Sequence, residues 1–520
     1  MKSLLQRATF LMSAIIPFGL ATALALLVFF GGAGQFFGHG LDFYGLPSFS
    51  DHLAAGLVVF AVLGVTTTGI VAIGARADKV CRKPYVPLPA LLAFLAVAAR
   101  SVIVVCFGHE TAPDGDNGFA WSRAIGHSNA ADYHSTIPCW MNYSFLLRVL
   151  AVLFGNDYRI DLSAGVVMDG ISTVLVFMLA FRVTGKNSAA ALAASLLALN
   201  PALTAYALAG TPEHLATACF LMAALLFHHM VEDEMSRRGI VLCASACGLA
   251  LGVGNSIKPI FPLVGTAMAM ALVIGANRRA RLAKLSCALA VAYVVQFGVA
   301  HCITAATESA FAVKLSDKSL LPHTVVVGLN RQGEGQVGIG NLSRTVQNGL
   351  RAGMSMDEAA ATGYRTVQND WHGHLNEIPG FLARKFIWAW QDFNRPLFYF
   401  KRDAGHFLKS HPKAKAKGLR KHLYRHLATA LSPANGLIYL CIMAAGTYWA
   451  VVCGLRMRNT RAIDLFVVLM PLGFFCMLTL MEAQSRYKCL VLPFVFIFVS
   501  QWLGDCIGKR GMTRAGTGAN

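Results

Sequence analysis

The sequence predicts an all-α polytopic membrane protein. Hydrophobic residues make up 56% of its 520 residues and charged residues only 14%, whereas soluble domains carry about a quarter charged residues. Mean hydropathy is +0.54. Apolar runs of roughly 18 residues or more recur along the chain, long enough to cross a bilayer at about 1.5 Å rise per residue. Lys and Arg gather beside these runs, as orientation by positive charge on the inner side requires.

Taken in order, the first run covers Phe10 to Phe30, and the loop from Gly31 to Asp51 carries no Lys or Arg, so it belongs outside. Lys2 and Arg7 precede that run as in a signal peptide, but its length and the lack of a small-x-small cleavage site favour a retained span. The second run, His52 to Gly74, returns to an inner loop bearing Arg76, Lys79, Arg82 and Lys83. The third, Leu88 to Phe107, leads out again to a loop from Gly108 to Asp161. Within that loop, Tyr143 to Phe154 is apolar with Arg148 as its one charge, the pattern of a helix lying in the interface.

Spans four and five, Leu162–Phe181 and Ser188–Ala209, flank an inner turn with Arg182 and Lys186. An outer turn, Ala209 to His214, precedes span six, which ends at Met230 before Asp233, Glu234, Arg237 and Arg238. Spans seven and eight meet outside near Asn255 to Pro259, and Arg278, Arg279, Arg281 and Lys284 mark the next inner loop. Span nine ends near Cys302, and the hydrophilic stretch from Thr304 to His426 then lies outside. Three last spans start near Ala434, Asp464 and Tyr487, separated by Arg456, Arg458 and Arg461 inside and by Met481 to Tyr487 outside. The expected count is about twelve, with both termini inside. The chain thus divides into 1–303, a transmembrane module with the first outer loop; 304–427, a long outer loop; 428–508, the last spans; and 509–520, a cytoplasmic tail.

The basic block from Lys401 to Arg425 strains this topology, yet long loops translocate largely regardless of charge. Making Phe381 to Phe400 a span would bury Arg384, Lys385, Asp392 and Arg395, so an outward amphipathic segment is preferred. The +19 formal charge does not indicate nucleic acid, because the basic residues form no face of a soluble domain. The thirteen cysteines are scattered, most within apolar runs, with no CxxC pair to suggest zinc or a disulfide framework.

Polar groups collect on the outer side. Transporters place substrate groups near the midplane, so a charged outer rim favours chemistry at the membrane boundary. Asp114 and Asp116 flank Gly115 in Pro113-Asp114-Gly115-Asp116-Asn117-Gly118. In an extended segment both carboxylates point one way and can share a cation or a proton; in an Asx-type turn they are merely solvated. A calcium loop does not fit, because glycine comes one position early and no glutamate follows at the twelfth. Thr211 is a suitable N-cap and Pro212 a suitable first helical residue for the helix that carries Glu213 and His214. Glu213 there also favours the helix dipole. Glu482 and Arg486, four apart, fit a helical ion pair, and Lys258 before Pro259 an interfacial anchor. Arg100, inside span three, is either paired within the bundle or turned toward an anionic ligand.

Pro113-x-x-Asp116 followed by Trp121 and Ala124 resembles the first outer loop of GT-C class membrane glycosyltransferases, above all the protein-mannosyltransferase-like glycosyltransferase family 39 and its bacterial relatives. Thr211-Pro212-Glu213 is similar to the family's second acidic site. Val327-Gly328-Leu329-Asn330 and Lys385 with Trp388 resemble the opening and close of its long loop. Glu482-Ala483-Gln484-Ser485-Arg486-Tyr487, followed by Pro493, is similar to its late signature. The likeness runs from about Pro87 to Ser500 and rests on the order and common sidedness of motifs, none specific alone.

The resemblance implies a GT-C-like bundle that uses a polyprenyl-phosphate sugar donor on the extracytoplasmic face, with a glycan, protein or lipid acceptor. Asp116 would be the general base, with Asp114 its neighbouring rival; Arg486 and Lys258 would face the leaving phosphate. Glu213 or His214 would position the acceptor or a cation, and a divalent metal ion at Asp116 and Glu213 is compatible with the family. Glu482, Tyr487, Arg100 and Trp388 complete the expected substrate-binding set, and the prenyl tail would run near Tyr143 to Phe154. Two departures are the extra acid Asp114 and Gly340-Asn341-Leu342 where relatives often carry a further acid. A transporter or flippase, or a polysaccharide polymerase or ligase of the cell envelope, is the competing expectation; the first predicts charges within the spans, which apart from Arg100 and span-end groups read as clean.

Overall fold

The computed structural model describes residues 16, 19–22, 25, 53–108, 116–126, 138–275, 279–313, 315, 328–331, 348–349, 351–391, 417–456, 461–480 and 488–516. Among the described residues the chain is helical throughout, with no strand. The first nine helices are α1 (Leu53–Val80), α2 (Pro87–Phe107), α3 (Asp116–Ala124), α4 (Pro138–Phe154), α5 (Arg159–Thr184), α6 (Asn187–Ala198), α7 (Pro201–Ala205), α8 (Glu213–Glu232) and α9 (Arg237–Ile257). There follow α10 (Phe261–Gly275), α11 (Arg279–Phe311), α12 (Met356–His372), α13 (Ile378–Gln391), α14 (Lys417–Arg456), α15 (Ala462–Leu480) and α16 (Lys488–Gly516).

Among the described residues, eight helices are long and apolar enough to cross a membrane, or up to nine if one bent pair counts as a span. Three shorter apolar helices, Pro138–Phe154, Pro262–Ile274 and Ala462–Met477, accompany them. Span one lies largely outside the described residues. Its described residues Ile16, Leu20 and Ala21 belong to the buried core.

Local sequence explains the ends. Ser236 accepts from the Gly239 N–H and caps α9. Gly185, at φ 68°, closes α5 in the left-handed conformation that glycine adopts without strain. Span five is not one helix: α6 and the segment Pro201–Leu208 meet at 47°. Pro201 cannot continue the ladder, and Asn200 caps the new start through Oδ1 to the Leu203 N–H at 3.0 Å. α11 runs past Cys302 to Phe311, and α14 begins at Lys417, inside the basic block. α4 falls short of the length of a span and packs on α3, α5, α9 and α11, burying Trp140 to Ser144, Leu147 and Ala151.

Small residues set the packing, since lipid offers no hydrophobic drive and close backbone approach must replace it. Ala189, Ala190, Ala191, Ala193, Ala194 and Ala198 on α6 are fully buried, against α1, α2, α5 and α16. One end of the bundle is closed by polar groups serving as caps between helices. Asp78 accepts the Asn187 N–H (2.5 Å), the Ser188 N–H (3.2 Å) and the Ser188 hydroxyl (2.6 Å), capping α6 from α1. Arg461 donates to the Val183 carbonyl at the end of α5 and to Asp464 at 2.9 Å. Gln501 of α16 donates to Asp464 at 3.2 Å.

On α9, a Cβ at Gly252 would lie 2.7 Å from Val299 Cβ and 2.9 Å from the Gln296 carbonyl of α11. Neither atom is a flexible tip. Gly252→Ala is therefore expected to destabilise the bundle by about 1–3 kcal/mol, read as a lowered melting temperature in detergent; an unchanged value contradicts this contact.

Candidate functional site

The C-terminal ends of α2 and α9 and the N-terminal ends of α5, α8 and α16 come together around buried charge. Glu213, fully buried, opens α8, and its Oε1 lies 2.7 Å from the ammonium of Lys258, which follows α9. Removing one partner of such a buried pair costs about 3–5 kcal/mol because the other charge is stranded. The next residue, His214, meets Asp169 Oδ1 through Nδ1 at 2.9 Å. Asp169 Oδ2 in turn accepts from Arg100 Nε at 2.8 Å. Thr217 of α8 donates to the Cys489 carbonyl of α16 at 3.5 Å, which ties the site to the start of the last helix.

A second polar group binds the outer turn. Tyr143 donates to Asp161 Oδ1 at 2.7 Å. Asp161 Oδ2 is buried and has no hydrogen-bond partner among the described residues. The Gly210 N–H donates to the Tyr158 hydroxyl at 3.2 Å. A Cβ on Gly210 would overlap both the Asp161 carboxylate and that hydroxyl, so the turn needs glycine for close approach. Thr211 does not cap α8. The cap position is Pro212, in a helical conformation without a side-chain bond, and Thr211 donates instead to the Tyr206 hydroxyl at 3.1 Å.

α3 joins this assembly through its second turn. Trp121 stands edge-on to Tyr158 with ring centroids 5.7 Å apart, and Ala120, Trp121, Arg123 and Ala124 are buried. Asp116 is the first residue of α3. Arg123 and Arg148, from α3 and α4, lie over the Phe311 ring at 5.8 and 5.3 Å. A void of about 20 Å³ lies among Arg100, Asp169, Ser172, Glu213, His214 and Cys489, room for about one water molecule.

This middle part of the chain carries a family signature. Residues 141–303 match the dolichyl-phosphate-mannose-protein mannosyltransferase family. That is the family the motifs resemble, and the matched stretch contains Asp161, Asp169, Glu213, His214 and Lys258. No curated protein matches the chain. Among solved structures it is similar to the archaeal oligosaccharyltransferase AglB from Archaeoglobus fulgidus, in complex with an inhibitory peptide and a dolichol-phosphate: 13% identity, TM-score 0.42, covering 84% of this chain and 52% of that one. It is also similar to ArnT from Cupriavidus metallidurans bound to undecaprenyl phosphate, at 15% identity and TM-score 0.36, over 80% of this chain and 76% of that one. The chain spans about half the length of the archaeal protein.

Of the expected mannosyltransferase-like site, the structure brings Glu213, His214, Lys258 and Arg100 into one cluster. Arg100 takes the first of its two expected roles, paired inside the bundle. Asp114, Glu482, Arg486 and Tyr487 lie outside the described residues, as do the side chains of Asp116 and Trp388. Lys488, directly after that late segment, is buried at the same end of the bundle. As to a metal, no group of three His, Cys, Asp or Glu gathers among the described residues, and Lys258 already supplies positive charge beside Glu213.

The expectation of clean spans needs correcting. Asp169 is an acid within α5, roughly 12 Å beyond Asp161 along the axis at 1.5 Å per residue. An acid inside an apolar run was itself the signal, and Asp161 was hidden by its place at the loop boundary.

The long hydrophilic stretch between α11 and α14 keeps its own small core of Ala359, Val367, Trp371 and Phe381, and α13 packs on α15. Its opening and closing motifs do meet: Lys385 donates to the Gly328 carbonyl at 2.6 Å, and Trp371 Nε1 to the Leu329 carbonyl at 2.9 Å. Arg331 holds Asp370 and Glu377, each at 3.0 Å.

Hydrogen bonds from Arg331 hold the Asp370 carboxyl below the ordinary carboxylate range. A lowered folded value gives stability that is present above the unfolded value of about 4 and lost as pH falls through the folded one. Pepsin cleavage near His372–Glu377 is expected to accelerate below about pH 4, and Arg331→Gln should cleave at the fast rate throughout, after correction for the protease's own pH profile. Identical profiles for the two proteins contradict the link.

Proposed function

We propose that the chain is a membrane glycosyltransferase that passes a sugar from a polyprenyl-phosphate donor to an acceptor hydroxyl on the extracytoplasmic side. The observation that carries this reading is the buried Glu213–Lys258 pair, set at the same end of the bundle as α3, which begins with Asp116, and the start of α16. The family matched over 141–303 is described by a prenyl-phosphate-linked sugar donor, which agrees with a rim holding both acids and cations. The active side follows from the inner loops rich in Lys and Arg, which leave this rim outside.

In this reading the acceptor O–H gives its proton to Asp116 while its oxygen forms a bond to the anomeric carbon. The bond from that carbon to the donor phosphate breaks at the same time, and the phosphate keeps the electron pair, so configuration inverts. Cations stabilise that departing charge. Lys258 is held for this by Glu213, and Arg486 joins from the segment before Lys488. Glu213 and His214 set the turn against which the acceptor or donor headgroup is placed, and Asp114 remains the alternative base. The prenyl tail belongs in the lipid-facing grooves of the bundle, and the acceptor is a glycan, a protein or a lipid. No step is assigned to a metal.

Membranes containing the chain, given a panel of radiolabelled prenyl-phosphate sugars, should transfer one of them. Asp116→Asn is expected to lower that transfer by about 10²- to 10⁴-fold, the contribution of a positioned general base, with protein level unchanged. Full retention of transfer removes the reading and leaves a transporter or a polymerase-type enzyme in its place.

A further inference from the structure

The break in span five creates a need that the sequence meets with charge. Carbonyls at the end of α6 have no donor in their own helix, and Pro201 brings no N–H. In lipid each unsatisfied group costs several kcal/mol. Arg100 supplies the donors, through Nη1 to the Ala198 carbonyl at 3.0 Å and Nη2 to the Leu197 carbonyl at 3.1 Å. Nη1 also meets the Ala96 carbonyl at 3.2 Å. The guanidinium charge is offset by Asp169, which passes the constraint on to His214.

Both oxygens of a carboxylate paired with arginine are acceptors, so the proton in the His214 contact sits on Nδ1. The imidazole is thereby fixed in tautomer and orientation from below. Its Nε2 is buried and has no hydrogen-bond partner among the described residues. The ring lies against Gly165, where a Cβ would stand 3.2 Å from the imidazole Cδ2, and beside the Tyr206 ring at 5.1 Å. Glu213 precedes His214 directly. A buried ion pair contributes little more to stability than well-packed apolar residues would, and its best-attested use is to select one geometry.

We propose that Arg100, Asp169 and His214 are positioning residues that lock the outer turn Gly210–His214 to the break in span five, holding Glu213 and Lys258 in the one arrangement that serves sugar transfer. Asp169 acts through Glu213 and touches no substrate. This rests on the transferase reading above.

The test is a double-mutant cycle. Asp169→Asn keeps the shape but removes the charge, and should lower kcat by about 10- to 100-fold with KM within about twofold. In a Glu213→Gln background the same change should lower kcat by less than about twofold, since coupled residues are not additive. Asp169→Glu should restore part of the loss. If Asp169→Asn leaves too much unpaired charge to accumulate, R100Q/D169N removes both charges and should accumulate with the same kcat loss. Wild-type kcat in either variant, or an equal fold-loss in both backgrounds, overturns this inference alone. A wild-type chain that transfers no sugar from any polyprenyl phosphate overturns the transferase reading, and this inference with it.

Discussion

A charge carried into hydrocarbon persists only where another charge or a row of dipoles answers it, and one half of this bundle is arranged around that demand. Glu213 answers Lys258. Asp169 answers Arg100, and Arg100 answers the carbonyls that a broken helix leaves bare. Because α2, α5, α6, α8 and α9 each contribute a member, the pairs fix where these helices end as much as what they present. Apolar packing alone tolerates sliding of one helix against another; directional bonds between charged groups do not.

The two ends of the bundle use polar chemistry differently. At one end, Asp78, Asn187, Ser188, Arg461 and Asp464 cap neighbouring helices and complete backbone hydrogen bonds. At the other end, Asp161, Glu213, His214 and Lys258 sit beside the turn Gly210–Thr211 and the entry to α16. The alanine-lined face of α6 and the glycine contacts of α9 let helices approach closely between these ends. The hydrophilic stretch between α11 and α14 adds a small structure of its own, closed by Lys385 on Gly328, and reaches the bundle through α13 on α15.

Much of this was legible because membrane physics writes plainly. Apolar length showed the helices that are long enough to cross a membrane. The motifs around Asp116 and Glu213, those opening and closing the long loop, and the stretch Glu482–Tyr487 pointed by their order to the family that matches 141–303. What escaped the sequence was tertiary. The bend at Asn200–Pro201 looked like the tail of one apolar run, since a proline there tells nothing of whether a partner will satisfy the freed carbonyls. Arg100 offered two roles until Asp169 was seen beside it, and Asp169 drew no notice in a run read for its hydrophobicity. Thr211 had the chemistry of a cap, but Tyr206 captured its hydroxyl. The pairing of Gly328 with Lys385, 57 positions apart, was anticipated only as two ends of a loop.

The central claim is that the early acidic segment and the late arginine segment share one rim. A direct check is cysteine cross-linking in intact membranes, in a background stripped of the thirteen native cysteines. Cysteines introduced at positions 116 and 486 are expected to react with impermeant thiol reagents from the outer side and to join through a short bifunctional linker. Labelling of the two positions from opposite faces of the membrane contradicts the account.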